Sequence, residues 1–203
     1  MRPTLTTTLL LTSLLLTSTT GASAQSVTLG LSGGANVASA TTTLDFPRQR
    51  IASFNAGGLV DVAIGDRWSV RTHAVYSGKG YSFDAPDHSH TIRMYSLDVP
   101  VYGLFRTSSG LFAGAGPNFA VNLHGTNTLS NGATGTHDYT FDGSPFEYKR
   151  FDFGVNVLVG YQMRNGLFVS ANYLKGISDR LINTDAFTSS HNALSFSAGY
   201  LFK

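Results

Sequence analysis

The sequence predicts an all-β fold, in which eight antiparallel strands close into an up-and-down transmembrane β-barrel. Three observations support this prediction. Apolar and polar residues alternate with period two in one segment after another, whereas helical periodicity is nearly absent. The connections between these segments alternate between long and short, and aromatic residues gather at both ends of the apolar face.

The first segment, 1–24, is predicted to be a signal peptide and not part of the fold. Arg2 precedes a run rich in leucine and threonine, and Ala22-Ser23-Ala24 follows with the small-residue pattern of a cleavage site. The apolar run is shorter than the ~20 residues that a membrane-spanning helix requires. We therefore expect export, and we expect the barrel domain to occupy 25–203.

Composition excludes several classes of protein. The chain has no cysteine, so neither a disulfide framework nor a thiolate metal site can form. Its formal net charge is only +2, and the basic residues are scattered along the chain, so nothing indicates nucleic-acid binding.

The order of strands and connections predicts the orientation of the barrel. The predicted strands are 27–37, 52–64, 68–78, 91–105, 111–121, 151–163, 167–175 and 193–202. The short connections are 65–67, 106–110 and 164–166, and the long ones are 38–51, 79–90, 122–150 and 176–192. Bacterial outer-membrane barrels place short turns in the periplasm and long loops outside the cell. We therefore expect a bacterial outer-membrane protein with both termini in the periplasm.

One face of every predicted strand carries no charged residue, and its aromatic members form two girdles around an aliphatic band. The girdle residues toward the long-loop ends are Phe54, Tyr76, Tyr95, Phe151 and Tyr173, and those toward the short-turn ends are Trp68, Phe105, Tyr161, Tyr200 and Phe202. The spacing from Phe54 to Ile64 is ten residues. Ten rises of ~3.3 Å at a tilt near 40° give a height of about 25 Å, which matches the apolar belt of an outer-membrane barrel.

The alternate residues, which form the opposite face of each strand, include a predicted polar cluster in the lumen. Its members are Asp61, Arg71, His73, Asp98, Asp152 and Asn156. The interior of an eight-stranded barrel is just wide enough for side chains to fill. We therefore interpret the cluster as a self-neutralising polar core and not as a proton or ion path.

Phase also predicts the register. The two strands that flank 65–67 keep their apolar residues on one face only if the turn has an odd number of residues, which places Asp61 opposite Arg71. The same argument makes 164–166 a three-residue loop. Pro100 and Pro117 fall inside predicted strands, where we expect bulges or bends because proline removes a ladder hydrogen bond.

Several short motifs occur in a characteristic order: Phe54-Asn55-Ala56-Gly57, "SVRTHAVYSGKG" at 69–80, Leu97-Asp98-Val99-Pro100, "AGAGP" at 113–117 and "FSAGYLFK" at 196–203. In order and spacing they are similar to the PorT-like outer-membrane β-barrel domain that is common in Bacteroidetes. The resemblance implies an eight-stranded outer-membrane barrel with Pro100 and Pro117 as habitual positions and with no defined catalytic residues. The chain departs from the usual assembly signal because Lys203 follows Phe202.

No catalytic, cofactor or metal site is predicted. His88 and His90 beside Asp87 have a spacing that would suit a divalent metal ion, but we interpret them, like His124 and His137, as solvated loop histidines. His73 is a strand histidine, but its phase directs it inward, away from lipid substrates.

The leading functional prediction is a non-enzymatic outer-membrane barrel with a structural or surface-interaction role through its extracellular loops. Its expected partners are outer-membrane lipids, the barrel-assembly machinery during biogenesis, and an unidentified extracellular ligand or protein. Two alternatives remain open at this point. One is a soluble periplasmic ligand-binding barrel of the lipocalin kind, and the other is a lipid-modifying outer-membrane enzyme.

Overall fold

The computed structural model describes residues 26–42, 48–84, 89–130, 135–139, 149–178 and 189–202, and these residues form nine β-strands. The strands are β1 Val27–Thr42, β2 Arg48–Ala63, β3 Trp68–Asp84, β4 Ser89–Arg106, β5 Leu111–Ser130, β6 Gly135–Tyr139, β7 Phe151–Gln162, β8 Leu167–Gly176 and β9 Ser189–Phe202. No helix in this part of the chain is long and apolar enough to cross a bilayer. The predicted signal peptide, 1–24, lies outside the described residues.

Eight of these strands close a ring. Antiparallel pairs join β1 to β2, β2 to β3, β3 to β4 and β4 to β5, and then β5 to β7, β7 to β8, β8 to β9 and β9 back to β1. The predicted eight-stranded up-and-down barrel is therefore confirmed. The short strand β6 pairs with the outer part of β5 and lies within 122–150, which we predicted to be a loop.

The turns at 65–67 and 164–166 have the predicted length of three residues, whereas the turn predicted at 106–110 is shorter because β4 continues to Arg106. The Ile64 amide donates to the Trp68 carbonyl at 2.8 Å, and the Met163 amide donates to the Leu167 carbonyl at 2.7 Å. Each bond closes a three-residue loop. Gly166 has φ +94°, a left-handed conformation that glycine adopts without steric cost, so 164–166 is not the two-residue hairpin that Asn165-Gly166 resembles.

The register confirms the phase argument, whereas the expected proline bulges are absent. Asp61 lies opposite Arg71. The β3–β4 ladder skips the positions beside Pro100, and the β4–β5 ladder skips those beside Pro117, but each resumes in the same register. The ladders are interrupted because proline has no N–H to donate. Register shifts occur instead near Arg50 to Asn55 in β2–β3 and at Tyr95/Ser96 in β4–β5.

The strands extend further at the long-loop end than the sequence predicted. β3 continues to Asp84, β4 begins at Ser89 and β5 continues to Ser130. Polar residues such as Ser82, Asp84, Thr126 and Asn127 are mixed with a few apolar ones in these extensions, so the alternation that marks the rest of each strand is lost there. The predicted boundaries at this end were wrong for that reason.

Candidate functional site

The outward face of the barrel wall is apolar and exposed. Along β7, Val155, Val157 and Val159 are 40%, 51% and 51% exposed, whereas Asn156 and Leu158 between them are each 3% exposed. A water-soluble protein would expose little of such a continuous aliphatic surface. The wall therefore has the alternation of a barrel surrounded by hydrocarbon.

The predicted girdle residues all lie on this outward face, and several contact one another. Tyr76 stacks on Tyr95 at 5.6 Å between ring centroids, with 9° between their planes, and Phe54 lies 5.9 Å from Tyr76. At the other end Trp68 and Phe105 lie 5.1 Å apart, and Tyr200 and Phe202 lie 5.5 Å apart. The remaining members, Phe151, Tyr173 and Tyr161, are exposed at 71%, 46% and 41%. We call the aromatic set at the long-loop ends the long-loop girdle and the set at the short-turn ends the short-turn girdle.

Three charged side chains form one cluster in the lumen near the short turns. Arg71 Nε donates to Asp61 Oδ2 at 2.6 Å, and Arg106 Nη2 donates to the same oxygen. The Arg71 side chain is fully buried, and its guanidinium carbon lies 5.0 Å from the centroid of the Phe112 ring and 5.3 Å from that of Phe168. The two arginines thus stabilise the buried Asp61 carboxylate, and the Phe112 and Phe168 rings flank the buried Arg71 guanidinium.

A second ion pair lies nearer the long-loop end. Lys79 Nζ donates to Asp98 Oδ1 at 2.7 Å, and Ser96 Oγ donates to the same oxygen at 3.0 Å. Lys79 is 2% exposed and Asp98 is 7% exposed. This buried carboxylate is therefore satisfied by both a charge and a hydroxyl group.

The other predicted lumen residues belong to separate groups. His73 packs its ring against Tyr102, with 5.8 Å between centroids. Asp152 accepts a hydrogen bond from the Ser178 hydroxyl near the outer rim. Asn156 donates to Asn118 at 3.3 Å and accepts from Asn172 at 3.4 Å. The six predicted residues therefore do not form one site.

Sequence reasoning missed three important lumen residues. Lys79 and Arg106 fell in segments that we predicted to be connections, although Lys79 continues the inward phase of Arg71 and His73. Asn36 is 1% exposed; its side-chain amide donates to Ser77 Oγ and the Gly78 carbonyl, both at 3.0 Å, and its Oδ1 accepts from Asn55 Nδ2 at 2.7 Å. Its inward phase in the first strand was the signal that could have identified it.

The lumen also contains apolar side chains, which the predicted polar cluster did not include. Near the short turns the inward face carries a compact apolar cluster of Leu59, Tyr102, Leu104, Phe112, Leu158, Phe168 and Leu201. These side chains pack around the Arg71 cluster and fill the barrel at this end. Above them lies a cavity of about 50 Å³ lined by residues such as Lys79, Asp98, Asn118 and Asn156, with room for a few water molecules and not for a solute channel.

The described histidines do not assemble a metal site. Within the part of the chain that the structure describes, no group of three or more His, Cys, Asp or Glu residues is arranged to hold a metal ion. The His90 ring stacks on Phe83 at 4.7 Å, and the His124 ring stacks on Tyr95 at 4.8 Å. Asp87, His88 and the His137 side chain lie outside the described residues.

An apolar wall with aromatic rows at both ends, closed around buried ion pairs, defines a transmembrane β-barrel of the bacterial outer membrane. Residues 18–181 match the model of the family described as "Outer membrane protein beta-barrel domain". Because the match covers most of the sequence, the chain belongs to this family. The soluble periplasmic barrel that we kept as an alternative is thereby excluded.

Solved structures share this fold at low sequence identity. The attachment invasion locus protein Ail of Yersinia pestis is 13% identical, with a TM-score of 0.55 over 86% of this chain and 98% of that one. Ail in complex with the heparin analogue sucrose octasulfate is 14% identical, with a TM-score of 0.52 over 87% and 99%. Neisserial surface protein A is 15% identical, with a TM-score of 0.53 over 87% and 99%. No curated protein matches the sequence.

Proposed function

We propose that this chain is a non-enzymatic, PorT-like barrel that displays its long-loop end at the cell surface as a contact surface, with both termini in the periplasm. One observation carries the proposal. The strands β2 to β5 continue well past the long-loop girdle, whereas at the opposite end Trp68 begins β3 and Phe202 ends β9. The barrel therefore projects from the membrane on one side only.

The projecting part has the chemistry of a hydrated surface. Beyond Tyr95 and His124, the ladder continues through pairs such as Thr91 with Thr128 and Ser89 with Ser130, and β6 extends it by one strand. Hydroxyl-bearing side chains on a paired sheet offer hydrogen-bonding groups without an apolar patch. Such a surface suits contact with a polar extracellular partner, and extracellular loops commonly carry function in proteins built on a rigid scaffold.

The interior supports a role without turnover or transport. The apolar cluster fills the short-turn end of the lumen, and the carboxylates of Asp61 and Asp98 are paired with basic side chains inside the barrel. His73, the strand histidine that a lipid-modifying enzyme would need, faces the lumen and packs on Tyr102.

Cysteine labelling in intact cells tests the orientation. Because the natural chain has no cysteine, Ser130→Cys at the end of β5 and Ser108→Cys in a short turn each give one reactive thiol. A membrane-impermeant maleimide should label Ser130→Cys in intact cells and both variants after the outer membrane is permeabilised. Labelling of Ser108→Cys in intact cells would contradict the proposed orientation.

A lipid-hydrolysis assay tests the absence of turnover. We expect the purified barrel, reconstituted in vesicles that contain lipopolysaccharide, to release no fatty acid above the protein-free background. The matched variant His73→Ala should behave identically. Fatty-acid release that is lost in His73→Ala would show that the enzymatic alternative is correct.

A further inference from the structure

Three of the five residues of the long-loop girdle have a basic residue two positions beyond them, while the other two have Ala52 and Gly78 there. Arg93 lies two residues beyond Tyr95 on β4, Lys175 two residues beyond Tyr173 on β8, and Lys149 two residues before Phe151, where β7 begins. All three basic residues are exposed. Residues two apart on a strand share a face, so Arg93 and Lys175 project outward directly beyond a girdle ring.

This pairing is absent from the short-turn girdle. The corresponding positions are Asp66 for Trp68, Thr107 for Phe105 and Met163 for Tyr161, and none of them is basic. A girdle does not need a cation beyond each ring. Exposed arginines occur at the short-turn end too, at Arg67 and Arg164, but neither lies two residues beyond a girdle ring.

The three cations form no ion pair within the described residues. The ion pairs present there use Asp61 and Asp98, which lie inside the lumen. On the projecting sheet, the Asp84 carboxylate is hydrogen-bonded to Gln49 and Ser89. The exposed Asp138 lies on β6, opposite Thr126 of β5, and Thr126 in turn lies opposite Arg93 of β4, so Asp138 and Arg93 are two strands apart. Among the residues that the structure describes, none forms an ion pair with Arg93, Lys149 or Lys175 that would compete with a partner outside the protein.

Their height above the girdle identifies the kind of partner. Two rises of ~3.3 Å at a tilt near 40° place Arg93 and Lys175 about 5 Å beyond their aromatic rings. Aromatic girdle residues lie at the boundary between hydrocarbon and headgroups, and long basic side chains reach from there into the headgroup layer. A cation at this height faces anionic groups of the lipids.

We propose that Arg93, Lys149 and Lys175 bind the phosphate groups of phosphorylated glycolipid headgroups in the outer leaflet. The assignment to the outer leaflet rests on the orientation proposed above. Arg93 can bind a phosphate through two N–H groups, whereas the lysines act as point charges. The three residues are spread over the β4, β7 and β8 side of the wall, with β5 between β4 and β7, so a layer of headgroups fits them better than a single free phosphate ion.

The test compares two sets of variants in nanodiscs. The triple variant Arg93→Gln/Lys149→Gln/Lys175→Gln removes the proposed site, and the control Arg67→Gln/Arg164→Gln removes exposed basic residues at the short-turn end. Diphosphorylated lipid A bound to the barrel is quantified by native mass spectrometry. Each basic residue near an anionic lipid surface contributes about fivefold to affinity, so the triple variant should bind about 100-fold more weakly and the control should be unchanged.

Two further arms identify the ligand chemistry. Lipid A stripped of phosphate should show no difference between the wild type and the triple variant, and inorganic phosphate at equal concentration should not displace bound lipid A. Equal lipid A binding by the wild type and the triple variant would overturn the proposal, as would an equal loss in the control or displacement by inorganic phosphate. A third outcome concerns the orientation alone. If Ser108→Cys and not Ser130→Cys were labelled in intact cells, while the triple variant still bound lipid A more weakly than the wild type, only the proposed orientation would be overturned. Heat-modifiable migration in gels should show that every variant is folded.

Discussion

The inward and outward faces of one strand meet different demands, as two neighbours on β8 illustrate. Phe168 is 1% exposed and packs in the apolar lumen cluster, whereas Val169 is 48% exposed on the wall. The inward side chain has fixed protein neighbours, and the outward one has only fluid lipid. The inward face therefore specifies shape and partners, while the outward face specifies little more than apolarity.

Glycine placement follows the same division. A Cβ at inward-facing Gly160 would lie 2.3 Å from Phe112 Cζ, and one at inward-facing Gly199 would lie 2.3 Å from Phe168 Cζ. These glycines leave room for the two rings that flank Arg71. At outward-facing Gly58 the nearest atom would be 3.9 Å away, so a side chain could be added there without a clash.

Removal of the Asp61 carboxylate should destabilise the barrel strongly, because two arginines depend on it. Asp61→Ala leaves Arg71 fully buried without its carboxylate, and Arg106 loses the same partner. We expect a loss of about 3 to 5 kcal/mol in the free energy of unfolding, measured by urea titration in lipid vesicles. The control Asp66→Ala, in an exposed turn, should cost less than about 0.5 kcal/mol. Equal costs would show that the buried cluster is unimportant.

Truncation of neighbouring side chains on β8 compares the two faces directly. Phe168→Ala leaves a cavity inside the barrel and should cost about 3 to 5 kcal/mol in the same titration. Val169→Ala should cost less than about 1 kcal/mol, because lipid chains fill the space that the valine leaves. The comparison would fail if Val169→Ala proved as destabilising as Phe168→Ala.

Charge on the outward face should be costly in proportion to depth. Val157 lies near the middle of the aliphatic band on β7, and Leu111 begins β5 beside the short turns. We expect Val157→Arg to lower the free energy of unfolding by about 2 to 4 kcal/mol and Leu111→Arg by about 0 to 1 kcal/mol. A similar cost at both positions would mean that the wall does not span hydrocarbon.

The sequence was most informative where lipid imposes a strict alternation. Phase alone predicted the strand count of the ring, the three-residue turns and the pairing of Asp61 with Arg71. A one-residue slip in β2, β3, β4 or β7 would move a charged residue into lipid, and in the other ring strands it would move polar residues such as Asn36, Asn118 and Asn172 there, so the register had little freedom.

The sequence was less informative where that constraint ends. Strand extensions such as Thr126 to Ser130 have a single apolar residue, Leu129, so their pairing with β4 and β6 leaves no periodic signal. The apolar lumen cluster had a signal, since Leu104, Phe112 and Phe168 are apolar residues in the inward phase near the short turns. We missed this cluster because we interpreted the inward face from its polar residues alone.

Tryptophan fluorescence tests most directly which face of the wall touches lipid. Trp68 is the sole tryptophan, so Trp68→Phe gives a silent background in which Phe168→Trp and Val169→Trp each report one face of β8. In vesicles of lipids brominated along their acyl chains, Val169→Trp should be quenched strongly and Phe168→Trp should be quenched little. Strong quenching of Phe168→Trp with weak quenching of Val169→Trp would contradict the assignment of the apolar wall to the membrane.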